Sequence, residues 1–123
     1  MDSKRLADLV CEFAENKKAE NIVVLDMTKV TDITDYFVLI TGSSPPQLKA
    51  IMNEIQLGLK NAELRPEGAE VAPSSSWNVL DFFDVVVHVM STEARSFYDL
   101  EGLWKDAPRV QRPLIQQRQP SGI

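Results

Sequence analysis

"YFVLITGSSPPQL", residues 36–48, is the stretch on which the fold turns. Residues 36–42 form an apolar, β-branched and aromatic run with no polar alternation. That pattern favours a strand covered on both faces. The chain then turns at Gly42-Ser43 and meets a complete helix start. Ser44 supplies the N-cap oxygen, Pro45 takes the first helical position, and Gln47 closes a capping box. Leu48, Ile51, Met52, Ile55 and Leu59 recur at helical spacing through about residue 61, marking one buried face. A doubly covered strand running straight into an amphipathic helix implies a sheet layered with helices.

Working outward, "NIVVLDM" (21–27) has the same continuous apolar character and reads as a second such strand. Before it, Leu6, Leu9, Val10 and Phe13 share one helical face over residues 3–17. After the central helix, residues 63–76 carry Pro66, Gly68, Pro73 and three consecutive serines. This reads as loop with room for a short strand around Glu70–Ala72. "WNVLDF" (77–82) and "DVVVHVM" (84–90) then form an antiparallel pair with a tight turn at Phe82–Asp84. Thr92 caps a final helix running through "RSFYDLEGLWKDA" (95–107). From Pro108 onward the chain is polar and Pro-punctuated without a period. Residues 1–107 are therefore expected to make a single α/β (α+β) domain, a mixed sheet flanked by helices. Residues 108–123 are expected to be a disordered tail.

Composition narrows the function classes. The 123 residues are 44% hydrophobic and 25% charged, ordinary values for a folded domain. The net charge of −5 has the wrong sign for direct DNA binding, which needs Lys and Arg to replace phosphate counterions, and suits a basic protein partner instead. No apolar run approaches the roughly 20 residues of a membrane span. Acids interleave with the apolar residues of the N-terminus, which argues against a signal peptide. The single cysteine, Cys11, permits no internal disulfide, and a reducing cytoplasmic setting is the default.

The candidate chemistry is sparse. Gly42-Ser43 lies between a strand and a helix N-terminus, where phosphate binds in other proteins, but the P-loop lysine and the spaced glycines of a dinucleotide loop are absent. Gly-Ser at this point also opens a nucleotidyltransferase pattern. That pattern requires two carboxylates, one residue apart, on the next strand, and no Asp-x-Asp follows. Asp32 and Asp35 fit a turn better than a cation site. His88 has Cys11 as its only other nitrogen or sulfur ligand, too few for zinc, and Cys11 falls beside the apolar face of the first helix. In the last helix, Phe97, Leu100 and Trp104 follow inward spacing. Arg95, Tyr98 and Glu101 are offset from that stripe. They read either as a solvated face with an Arg95–Asp99 pair or as a contact surface, which Trp77 would join. No catalytic, cofactor or metal residue emerges.

"TDYFVLITGSSPPQLKAI", the Glu67-Gly68 pair, Trp77, "LDFFDVVVHVM" and "RSFYDLEGLWKDA" together resemble the Iojap, or ribosomal silencing factor, family across residues 3–107. The resemblance implies a nucleotidyltransferase-like core without catalytic carboxylates and no enzymatic activity. It also implies binding to the large ribosomal subunit through that subunit's fourteenth protein, with a block of subunit joining that slows translation. A homodimer in the free state is a further implication, with the apolar "VVVHVM" edge as its expected contact. So is a cytoplasmic or organellar setting. The matching partner-binding positions are Trp77, Leu80, Asp81, Asp84 and His88 on the strand pair, and Arg95, Tyr98, Glu101 and Trp104 on the helix. The alternative is a nucleotide-binding protein using Gly42-Ser43. The sequence departs from the family at Phe83, where many members have glycine, the residue suited to a turn with positive φ.

Overall fold

The computed structural model describes residues 2–64, 68–70 and 76–111. In chain order these form α1 (Ser3–Asn16), β1 (Glu20–Asp26), β2 (Tyr36–Gly42), α2 (Pro45–Asn61), β3 (Gly68–Glu70), β4 (Trp77–Asp81), β5 (Val85–Ser91), α3 (Thr92–Tyr98), α4 (Leu100–Leu103) and β6 (Arg109–Val110). The strands make one sheet in the order β3-β4-β5-β2-β1-β6. β2 and β5 run parallel at its centre, and every other pair is antiparallel. The mixed-sheet α+β architecture expected from the sequence is the one observed.

The continuous apolar runs are explained by burial on both sides. Along β2, Tyr36, Val38 and Ile40 face the core beneath α1 and α2, while Leu39 faces a second core beneath α3 and α4. Val24 and Leu25 of β1 divide in the same way. α2 begins as its sequence dictates, with the Ser44 hydroxyl accepting from the Gln47 backbone N–H at 3.3 Å. The reciprocal Gln47 Oε1 accepts from the backbone N–H of Ser43, at 2.7 Å, rather than from that of the cap residue. Gln47 Nε2 donates to the carbonyls of Lys17 and Lys18, tying the start of α2 to the end of α1. The Leu48–Ile51–Met52–Ile55–Leu59 stripe is buried throughout. In α1, Leu6, Ala7, Val10, Cys11 and Ala14 carry the contact, with Leu9 and Phe13 at its margin.

Two features depart from the sequence reading. Arg109 and Val110, taken as the start of a tail, pair with Leu25 and Val24, and the Pro108 carbonyl accepts from Asp26 N–H at 2.8 Å. Pro108 therefore precedes an edge strand, a place where its missing donor is harmless. The short strand expected at Glu70–Ala72 is seen at Gly68–Glu70, and residues 71–72 lie outside the described ones. The β4–β5 turn at Phe82–Asp84 is tight, with Phe83 at φ 68°. Phe83 is 63% exposed, so its ring gains little that offsets the strained backbone.

Two outcomes are expected. Phe83→Gly relieves a left-handed conformation costing about 1–2 kcal/mol against a glycine entropy penalty of about 0.5–1 kcal/mol. The melting temperature should rise by roughly 3–6 °C, read by thermal circular dichroism. A chain ending at Ala107 should melt below one ending at Gln111, because only the longer form keeps the β6 pairing. Equal melting temperatures would show that β6 adds nothing.

Candidate functional site

α3 and α4 cover one half of the second sheet face, and the break between them shapes the site. Ser91, not Thr92, caps α3: its hydroxyl accepts from Ala94 N–H at 3.0 Å while its own N–H still donates to the Ser76 carbonyl. The helix expected to run on from Arg95 stops at Tyr98. Asp99 adopts a left-handed conformation, φ 45° and ψ 57°. Its carboxylate then accepts from Gly102 N–H at 3.1 Å and caps α4. A Cβ at position 102 would collide with that carboxylate, so glycine makes the cap possible.

The break resets the helical phase. Arg95, expected outside, is 9% exposed. Its Nη1 donates to Thr41 Oγ1 at 2.7 Å, and its Nε and Nη2 donate to the two Glu101 oxygens at 2.8 and 3.3 Å. Arg109 adds a contact to Glu101 at 3.0 Å. Glu101 replaces Asp99 as the partner of Arg95. The hydrogen bond from Arg95 and the two guanidinium charges hold the Glu101 carboxyl below the usual glutamate range, against the opposing pull of burial. Phe97, expected inside, is 80% exposed, whereas Leu100 is buried and Trp104 packs at the margin of the second core. Phe97 and Tyr98, in contact on α3, thus form an exposed apolar corner, and Leu103 of α4 is exposed as well.

A chain of rings leads from that corner into the sheet. Tyr98 meets Phe97 edge-on at 5.0 Å between centroids and lies over Trp77 at 4.6 Å. Trp77 Nε1 donates to His88 Nδ1 at 3.0 Å. His88 in turn contacts Phe37 at 4.8 Å, and Phe37 meets Trp104 edge-on at 5.9 Å. Burial alone pushes the His88 imidazole down to about pKa 4, so it is neutral at physiological pH.

Of the sequence-predicted site residues, Trp77 and Tyr98 lie against each other, and Trp104 is linked to them through Phe37 and His88. His88 and Arg95 lie behind them, buried, and Glu101 is held in the ion pair rather than free for a partner. Leu80 is fully buried beneath α1 and α2, on the opposite face, and cannot reach a partner. Asp81 and Asp84 sit at the far end of the strand pair, where Asp81 accepts from Phe83 N–H and the Asp84 carbonyl accepts from Asp35 and Tyr36. Phe97, Leu103, Phe37 and Thr41 were missed. An Asp three residues before a Gly, a helix-restart pattern at Asp99 and Gly102, was the available signal. The β5 edge named for self-association does not exist, since β5 is paired on both sides.

The Gly42-Ser43 turn has a packing explanation. A Cβ at Gly42 would stand 2.8 Å from Leu48 Cδ2. The Ser43 N–H and hydroxyl, which would greet a phosphate, are already satisfied by Gln47 Oε1. Asp35 accepts from the Ser3 hydroxyl at 2.9 Å. Among the described residues no helix is long and apolar enough to cross a membrane.

The family model described as "Ribosomal silencing factor during starvation" matches residues 1–122. The chain belongs to the ribosomal silencing factor family. It is 38% identical over 104 residues to the silencing factor of Chromobacterium violaceum, covering 85% of each chain. It is 35% identical over 108 residues to that of Bacillus subtilis, covering 88% of this chain and 92% of the relative. The chloroplastic Iojap protein of Arabidopsis thaliana matches 97% of this chain at 32% identity, over half its own length. A crystal structure of a C. violaceum protein superposes with a TM-score of 0.81 at 37% identity, covering 85% of this chain and 88% of that one.

The buried imidazole predicts a pH dependence of stability. Its folded pKa of about 4 lies below the unfolded value of about 6.5, so the unfolded chain takes up the proton first. Stability should be full above pH 6.5 and fall as pH drops toward 4, by at most about 1.4 kcal/mol per unit. Glu101 and Asp26, whose carboxyls are lowered, add their losses only below the ordinary carboxylate range. Urea titrations across pH 7 to 4 measure the slope, and His88→Phe should flatten it.

Proposed function

We propose that this family member docks on the large ribosomal subunit through the corner formed by Phe97 and Tyr98 and through Leu103, with Trp77 and Trp104 behind the corner, and blocks subunit joining by its bulk. The occupant of that surface is the subunit's fourteenth protein. The observation that carries the reading is the exposure of Phe97 (80%), Leu103 (69%) and Tyr98 (49%) on two short helices joined by the Arg95–Glu101 ion pair. Large apolar side chains grouped on a rigid surface, with an Arg-supported backbone beneath, have the anatomy of an interface hot spot. The net charge of −5 suits a basic ribosomal protein and opposes direct contact with rRNA phosphates.

The mechanism is steric and requires no bond-making. A domain of this length is roughly 30 Å across, and a body of that size on a closely fitted subunit face leaves no room for docking. The requirement falls on position and residence time. The acids at the β4–β5 turn contribute through the long-range field and not through contact. Binding should therefore weaken moderately as salt rises and the Debye length shrinks below about 8–10 Å.

The test is co-sedimentation with separated subunits, followed by a subunit-joining assay. Tyr98→Ala should weaken large-subunit binding by about 2 kcal/mol, roughly thirtyfold, and raise the concentration needed to block joining by the same factor. Leu103→Ala should weaken it less. Both positions are exposed, so melting temperatures should stay close to wild type. Folded variants that block joining at wild-type concentration would remove the corner from the interface.

A further inference from the structure

His88 is the one histidine of the chain, and its position is unusual for a residue in a binding surface. It is 7% exposed, on the sheet face beneath the aromatic corner, and does not itself reach solvent as a contact residue. Trp77 Nε1 is a donor with no acceptor capacity, so the 3.0 Å contact requires His88 Nδ1 to be the acceptor. The neutral imidazole must then carry its proton on Nε2. That atom is buried and meets no hydrogen-bond acceptor among the described residues. An imidazole held in one tautomer, with one nitrogen left without an acceptor, indicates that the Trp77 bond has a use beyond packing.

The geometry shows what the bond fixes. Trp77 lies at the start of β4 and is half-buried. A hydrogen bond to the indole N–H sets the direction in which the ring plane faces. The His88 bond ties the ring in this way, and Phe37 holds His88 from the other side at 4.8 Å. The fixed indole then supports Tyr98 at 4.6 Å, and Tyr98 supports Phe97. We infer that His88 is a positioning residue for partner binding: by accepting the Trp77 indole N–H it fixes the ring on which Tyr98 rests, and it touches no partner itself. The inference concerns the surface described under the proposed function and rests on that reading for its binding consequence.

The aromatic side chains have only two side-chain torsions each, so a hydrogen bond at the base of the stack helps to order it before binding. The ionisable side chains on the elements over this face are Glu93, Arg95 and Tyr98 of α3 and Glu101 of α4, with Asp81 at the far end of β4. Arg95 and Glu101 neutralise each other. Protonating His88 makes both ring nitrogens donors and ejects the indole N–H.

The experiment uses the full chain, and the Trp77→Phe variant identifies which of the two indole N–H signals belongs to Trp77. In 15N-labelled protein the Trp77 indole N–H should be protected from exchange, and acid should release it together with His88 protonation. His88→Phe should abolish the protection. His88→Gln, whose side-chain oxygen can accept, should restore much of it. With separated large subunits, His88→Phe should bind about fivefold to tenfold more weakly, with His88→Gln in between. In a Trp77→Phe background the His88→Phe change should have no further effect. An unprotected indole in the parent, or unchanged protection in His88→Phe, overturns the positioning role. So does an equal loss of binding in both backgrounds. If no form binds subunits, the proposed docking surface fails, while the exchange data still decide whether His88 holds Trp77.

Discussion

The Arg95 guanidinium reaches back from α3 to Thr41 at the end of β2 and forward across the Asp99 break to Glu101 on α4. Three elements that are far apart in hydrogen-bonding terms are joined by one planar fork. An arginine this buried is costly unless its donors are occupied, and here the fork meets a carboxylate through two nitrogens and a hydroxyl through the third. Removing any partner leaves a desolvated charge. The corner is thus rigid in the direction that matters, because α4 cannot swing away from α3 without exposing that cost. Arg109 reaches the same carboxylate from β6, so the edge strand and the corner share an anchor.

The two faces of the sheet are treated differently. α1 and α2 close one face with long amphipathic stripes, and Gly58 lets the Phe13 ring approach so closely that a Cβ would meet it at 2.6 Å. Among the described residues, the helices over the other face are α3, of seven residues, and α4, of four, with Met27, Val30 and Ala107 packed beside them. Two such short helices cannot cover six strands, and the shortfall is filled by aromatic rings. Phe37, Trp77 and Trp104 are each partly buried at the margin of that smaller core. The half-covered face is where large apolar side chains remain available to another molecule. Closing one face with stable helices is what allows the other to stay open.

Legibility in the sequence followed the range of the interactions. The start of α2 was readable because Ser44, Pro45 and Gln47 act within one turn of each other. The strands were readable because burial on both faces removes polar alternation. The β4–β5 turn was readable from its flanks even though Phe83 disguises a position that favours glycine. The last helix was misread because its apolar spacing was extrapolated across Asp99. A non-glycine residue in a left-handed conformation gives little warning, and once it intervenes the spacing from Phe97 to Leu100 and Trp104 carries no common face. Arg95 was misplaced for the same reason, since its partner Thr41 lies 54 positions away. Leu80 fell on the wrong face because a resemblance transfers positions without orientation. The alternation of β4, with Trp77 on one side and Leu80 on the other, would have separated them.

Rigidity and exposure are ordinarily in conflict. A large apolar side chain that is solvent-exposed gains nothing from packing and moves freely, and binding must then supply the entropy of fixing it. Here the conflict is resolved by stacking exposed rings on progressively more buried ones. Phe97 is almost free in solvent, Tyr98 is half-covered, Trp77 is more so, and His88 is buried. Each ring is ordered by the one beneath it, and the last is held by a hydrogen bond in the core. The arrangement explains why a polar histidine occupies a sheet position between valines, Val87 and Val89, where an apolar residue would fill the space without leaving a nitrogen unsatisfied. A hydrophobic residue at that place would serve the core better and the surface worse, because it cannot accept the indole proton on which the order of the stack begins.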